Sequence, residues 1–299
     1  MTNDHKGEFF HSLGWMEIIR YGLGAEIRRI DEGSSRPFSI PIFQKGPFRI
    51  VYPGFPVGAI PMEYCRLLED PTGLDDRVGP WHMVRIWQST VLNPCQTRRH
   101  TNSMVVETTI PDLHSWDPAR LSSAIHRNLK KANRSGLRIE PAEKSDSSRI
   151  YALYHATIRR KGGNLRYTES YFQALIDASR KQNDIQVHTA RTPDRKIASM
   201  LVCAYHRGRA FYLHGATDAG CSSMRPADLL MFNAIDRAKA QGMTAFSFLP
   251  SPREQSGLIR FKEKWGGTSM ENPAHDIYRL SPGGWALNLV VRLRNISRA

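Results

Sequence analysis

Between residues 137 and 280 the chain runs through a fixed succession of segments, and their order leaves few folds open. A short extended run, 137–140, is followed by two helical stretches, 146–159 and 168–181. Three extended runs come next, 185–191, 197–206 and 210–216, with Asp194 and the Arg207-Gly208 pair supplying the turns. A helix starting at Pro226 then places Ala227, Leu230, Met231, Ala234, Ile235 and Ala238 on one face and stops at Gly242. A strand over 243–249, a helix over 254–265 and a last strand reaching Leu280 complete the string βααβββαβαβ. Strands and helices interleaved in this way read as an α+β domain.

Upstream, an amphipathic helix is expected over 9–21, where Phe10, Leu13, Trp15 and Ile18 punctuate polar positions. Extended runs follow at 26–30, 38–43, 48–52, 82–88 and 104–109, so this part also reads as α+β. Gly22-Leu23-Gly24 has neither a preceding strand nor a third glycine and is not a dinucleotide fingerprint. The apolar run 285–291 is broken by Asn288 and is far shorter than the roughly 20 residues a bilayer crossing needs. No cationic segment leading into an apolar one opens the chain, so no signal peptide is expected and the protein reads as cytoplasmic. Cys65, Cys95, Cys203 and Cys221 have no metal-ligand or redox spacing and are expected to be reduced, with no metal bound.

The 299 residues carry 42 Lys and Arg against 28 Asp and Glu, a net charge of +14. Residues 1–116 hold 12 basic and 13 acidic side chains, whereas 117–299 hold 30 and 15, so all of the excess lies in the second part. Asp117-Pro118 is a helix start and Gly136 a stop, and between them Leu121, Ala124, Ile125, Leu129 and Ala132 form an apolar face. Arg120, Arg127, Lys130, Lys131 and Arg134 project elsewhere, either as a solvated face or as a stripe that tracks phosphates.

The element order, the segment from Tyr212 through Pro226-Ala227-Asp228-Leu229-Leu230, and above all Gly257-Leu258-Ile259-Arg260-Phe261-Lys262-Glu263-Lys264-Trp265-Gly266-Gly267 resemble the Fem family of aminoacyl-tRNA-dependent transferases and its GNAT-like relatives. The basic helix ending in Lys130-Lys131-Ala132-Asn133-Arg134-Ser135-Gly136 is similar to that family's entry into its second domain. The resemblance spans about residues 103–280. It implies a GNAT-like acyltransferase fold in two tandem domains, with 1–116 a degenerate copy, 117–280 the catalytic copy and 281–299 a terminal helix. It implies no tightly bound cofactor, with aminoacyl-tRNA or acyl-CoA as co-substrate. Two departures stand out. The strand before the Phe261-Lys262 helix reads Phe246-Ser247-Phe248-Leu249-Pro250 where the family has an acidic Asp-Phe-Gly-like stretch, and Gly220-Cys221-Ser222-Ser223-Met224-Arg225 replaces the pyrophosphate loop of acetyl-CoA enzymes.

Lys262 falls in the middle of the apolar stripe Leu258, Phe261, Trp265. An ammonium there needs a partner, because unpaired burial costs several kcal/mol or strips the proton. Either it is a structural lysine paired with Asp218 or Asp228, or it meets the donor's phosphate or the oxyanion of acyl transfer, with Phe261 flanking the donor. Ser222, Ser223 and Arg225 precede the helix N-terminus at Pro226, a place for donor phosphates in such a fold. Arg160 and Lys161, closing a helix, and Tyr167 and Tyr212 are candidates for contacting the acceptor, a small-molecule or peptide amine. No Gly-x-Ser-x-Gly elbow, HExxH or Walker loop is present, so the hydrolase, metalloprotease and nucleotide-hydrolase classes have no support in the sequence. Three functions remain open: aminoacyl transfer from tRNA to an amine, acyl-CoA-dependent transfer to a metabolite or envelope precursor, and RNA binding by a non-catalytic GNAT-like shell. The terminal segment, with Trp285, Ala286, Leu289, Val290, Leu293 and Ile296 beside Arg292, Arg294 and Arg298, is expected to pack on the protein body, with docking to a membrane surface as the alternative.

Overall fold

The computed structural model describes residues 9–30, 38–58, 71–87, 98–181 and 184–296; Cys65, Cys95 and Arg298 lie outside them. The chain divides into two compact units, Met1–Val105 with Glu271–Ala299, and Val106–Met270. Both limits fall inside long strands, where no glycine- or proline-rich linker announces them, and the C-terminal helix is grouped with the first unit.

In the first unit α1 (Leu13–Leu23) leads into β1 (Glu26–Ile30), β2 (Phe38–Lys45) and β3 (Phe48–Val51), which pair antiparallel in sequence order. Ser12 caps α1 by accepting from the Trp15 N–H, and Gly24 ends it in the left-handed region. The short helix α2 (Pro71–Val78) is followed by β4 (Met83–Trp87), which runs parallel to β3 and antiparallel to β11 (Thr268–Arg279). Alternate residues of these strands, Ile40, Ile42, Val51, Val84, Ile86 and Ile277, form one apolar cluster with Leu74 and Val78 of α2. The opposite face, with Met83 and Tyr278, receives Leu287 of the last helix, α8 (Pro282–Ile296).

The second unit reproduces the order read from the sequence: β6 (Arg138–Pro141), α4 (Ser147–Arg160), α5 (Glu169–Lys181), β7 (Ile185–Arg191), β8 (Ile197–His206), β9 (Arg209–Thr217), α6 (Pro226–Ala240), β10 (Ala245–Pro252) and α7 (Ser256–Glu263). With β5 (Arg98–Ile110) the strands lie in the order β5-β10-β9-β8-β7-β6. β6 to β9 are antiparallel neighbours, whereas β10 runs parallel to β9, as the connection through α6 requires. β8 is buried along almost its whole length because helices cover both faces. Phe246 and Phe248 of β10, Leu230, Met231, Ala234 and Ile235 of α6 and Trp265 make up the core on one side.

The helix expected from Asp117 is broken. Asp117 caps a 3₁₀ turn, Pro118–Arg120, by accepting from the Ala119 N–H, then Leu121 and Ser122 are extended, and α3 (Ser123–Arg134) starts after Ser122. Asp117 and Ser122 are both of the residue types that cap helices; the longer helix begins after Ser122, although its hydroxyl makes no cap bond. Ala124 is consequently exposed instead of facing the core, while Ile125 and Ala132 are buried.

A buried carboxylate ties this unit's helices together. Asp228 of α6 accepts from Asn128 Nδ2 of α3 at 2.7 Å and pairs with Lys264, whose ammonium also stands 4.6 Å from the Phe261 ring centre and 5.1 Å from that of Trp265. Removing one member of such a pair strands the other. Lys264→Ala should therefore destabilise the protein by about 2 kcal/mol or more in urea unfolding, well beyond an ordinary surface change.

Candidate active site

β9 and β10 hydrogen-bond over three positions alone, Arg209↔Ala245, Ala210↔Phe246 and Phe211↔Ser247. Beyond them the strands part, leaving a fork between residues 212–217 of β9 and the outer half of β10 in the middle of the unit's sheet. On the β9 arm the register with β8 slips: Tyr212 faces Cys203 and His214 faces Val202, so Leu213 is an extra, bulged residue. The bulge resets the alternation of side chains, and the Tyr212 hydroxyl lies over Gly215, where a Cβ would stand 2.2 Å from it. On the β10 arm Leu249 adopts a left-handed conformation, φ +59°, unusual for a branched side chain and a point at which the strand turns its backbone.

Lys262 of α7 reaches this turn. It is 3% exposed, and its Nζ donates to the Leu249 carbonyl at 2.5 Å and to Ser251 Oγ at 2.6 Å. Burial pushes its pKa down to about 7, against the pull of the Glu107 carboxylate, which favours the charged form. Glu107, on β5, accepts from Ser247 Oγ at 3.2 Å and from Thr109 Oγ1 at 3.4 Å. The structural alternative for Lys262 is corrected here: Asp228 pairs with Lys264, and Asp218 pairs with Arg149 and Lys196. Lys262 thus sits buried among neutral acceptors, poised between ammonium and amine near neutral pH.

The other expected site residues divide between the two faces of the sheet. Phe261 is half-buried against the core and under the Lys264 ammonium. Tyr212 packs on that same core, 6.4 Å from Phe248 across the fork, and burial raises its pKa. Tyr167 belongs to the opposite face, stacked on Tyr171 at 4.5 Å and edge-on to His214 at 4.5 Å. The sheet therefore separates the two tyrosines. His214 Nε2 lies 2.9 Å from the Tyr171 hydroxyl, and burial lowers its pKa to about 3, so it remains a neutral imidazole. Arg160 and Lys161 are exposed at the end of α4.

At the donor end, Ser222, Ser223 and Arg225 are exposed in and after a 3₁₀ turn, Ala219–Met224. The Asp218 carboxylate already accepts from the Gly220 N–H at 2.9 Å, a bond that lowers its pKa, and Ser222 Oγ donates to the Ala219 carbonyl. A carboxylate thus occupies the turn where a pyrophosphate cradle would need free N–H groups. On α3, Arg127, Lys130, Lys131 and Arg134 are all exposed and no carboxylate pairs with them among the described residues.

Glu107, Ser251 and the bulge at Leu213 carry no signal in the local sequence pattern. Glu107 was one acid in an extended run, and its relation to Lys262 arises only when β5 is laid beside β10.

Residues 119–263 match the acetyltransferase (GNAT) domain family. The chain carries a GNAT acetyltransferase domain, and the protein is an acyltransferase. A search of curated proteins finds no match. Among solved structures, the crystal structure of FemX is similar at 13% identity and TM-score 0.67, covering 95% of this chain and 94% of that one. The C-terminal domain of a putative lysylphosphatidylglycerol synthetase from Agrobacterium fabrum is similar at 14% identity and TM-score 0.57, over 93% of this chain and 90% of that one. L-PGS from Bacillus licheniformis follows at 15% identity and TM-score 0.55, with 85% of each chain covered. At these identities the likeness shows a shared fold, and the GNAT-like architecture is the fold of this acyltransferase.

The burial of Lys262 has a measurable pH signature. Below pH 7 the folded protein bears the full cost of a buried ammonium. Between pH 7 and about 10 the unfolded chain holds a proton that the folded one has lost, so stability rises with pH. In urea titrations the wild type should gain stability across this window, and Lys262→Met should remove most of that gain.

Proposed function

We propose that this acyltransferase moves an aminoacyl group from aminoacyl-tRNA to the amine of a small-molecule or peptide acceptor in the cytoplasm, with 1–116 a degenerate GNAT-like copy beside the catalytic domain. The observation that carries the reading is the row of exposed, carboxylate-free cations Arg127, Lys130, Lys131 and Arg134 on one side of α3. Spaced i, i+3, i+4 and i+7, they span about 10 Å, a length suited to several phosphates of a polynucleotide. Asp218 in the turn before α6 weighs against the alternative donor, acyl-CoA, because its carboxylate takes up the Gly220 N–H that a pyrophosphate would otherwise accept from.

In this reading the acceptor amine attacks the ester carbonyl at the fork. A C–N bond forms and the carbonyl oxygen becomes an oxyanion; the carbonyl then re-forms as the ester C–O bond breaks, and the departing ribose oxygen takes the proton that the attacking nitrogen gives up. Lys262, as the ammonium, stabilises the oxyanion, and an approaching anion raises its pKa and keeps it charged. Phe261 supports the α7 face from which Lys262 projects. Ser222, Ser223 and Arg225 contact the donor end, while Arg160, Lys161 and Tyr167 meet the acceptor from the other face and Tyr212 lines the fork itself. Amide formation needs positioning and a charged hydrogen-bond donor more than a nucleophile.

The donor is tested by supplying charged tRNA and acyl-CoA separately with candidate amines and following loss of the ester or thioester. Charged tRNA should be consumed, with an affinity that falls steeply with salt, and Lys130→Gln/Arg134→Gln should flatten the log–log slope by up to about two. Consumption of acyl-CoA alone, with a shallow salt dependence, would transfer the function to the acyl-CoA reading.

A further inference from the structure

Helix α8 carries two apolar faces. The inner one is committed: Leu287 is buried with Met83 and Tyr278, Val291 packs beside it, and Asn288 is also buried. Gly284 lies so close to the preceding strand that a Cβ there would stand 2.1 Å from the Arg279 carbonyl oxygen, which fixes how the helix is seated. The outer face is left to solvent, with Trp285 59%, Leu289 58% and Leu293 57% exposed, and with Val290 and the preceding Leu280 exposed as well. By helical register, positions 292 and 294 fall at the two borders of this arc, and both are arginine. Between Leu280 and Ala299 the sequence has three arginines and no acidic residue.

We infer that this outer face of α8 docks on an anionic lipid bilayer, lying in the plane of the interface with Trp285, Leu289 and Leu293 inserted, and that the basic, acid-free composition of the segment matches the lipid phosphates. An apolar arc containing tryptophan and bordered by arginines is the pattern of an interfacial helix, and its length is too short to span. A second copy of the chain is a poor occupant, because a two-fold contact of this segment would bring up further arginines and no acid to pair them. One helix face about 22 Å long is also small beside the roughly 800 Å² per partner of a stable protein interface. A bilayer requires neither reciprocity nor a large footprint.

The test is co-sedimentation of the full-length protein with phosphatidylcholine vesicles made with and without phosphatidylglycerol. The wild type should bind the vesicles containing phosphatidylglycerol, less so as salt is added. Both Trp285→Ser/Leu289→Ser/Leu293→Ser and Arg292→Gln/Arg294→Gln should weaken binding about tenfold or more, with thermal unfolding unchanged. Failure of the wild type to bind, or wild-type binding by the triple variant, would overturn the inference. So would a wild-type dimer in solution that the triple variant dissolves, since the face would then belong to a second copy.

Discussion

Two parallel strands that separate in the middle of a sheet free backbone N–H and C=O groups from the ladder, and buried groups of that kind must find other partners. Here β10 parts from β9 after Ser247, and the strand turns its backbone through the left-handed Leu249. The group that meets the exposed end is the ammonium of Lys262, which bonds the Leu249 carbonyl and Ser251 together. The lysine has a structural partner and a cost at once: it satisfies a carbonyl that the fork releases, and it bears desolvation that neutral oxygens only partly offset. Its lowered pKa expresses that balance.

The fork also explains why the expected site residues lie on two sides of the sheet. Tyr212 and Phe261 pack with α6 and α7, while Tyr167 and His214 pack with α4 and α5. The bulge at Leu213 allows this division, because it changes which face each β9 side chain takes. A gap between strands is the route by which groups on opposite faces can act on one substrate. A donor arriving along α3 and α6 and an acceptor arriving along α4 would meet there, beside the lysine. Neutral His214 and the raised tyrosine pKa values leave Lys262 as the group of this fork that changes charge near neutrality.

Periodicity carried most of the second unit into the sequence reading, because α6 and β7 to β9 owe their form to burial patterns that run through single segments. Lys262 stood out for the same reason, a charge in an apolar stripe. What the sequence did not yield were relations between segments. Ser251 lies beyond Pro250, where a strand was expected to have stopped, yet it supplies one of the lysine's two partners. Asp228 was a candidate partner for Lys262, and only the turn of α7 shows that Lys264, two residues on, takes it. The start of α3 was misplaced because Asp117 and Ser122 are both good caps, and local sequence does not rank them.

The account turns on Lys262 holding a pKa near neutrality that donor binding raises. It is tested most directly by nuclear magnetic resonance titration of labelled lysine, with Lys262→Met used to assign the signal. In the free protein Lys262 should titrate near pH 7, and a stable aminoacyl-ester analogue of the tRNA acceptor end should move it upward towards the ordinary lysine value of about 10.5. A Lys262 that titrates near 10.5 without donor, or that does not respond when donor binds, would contradict the account.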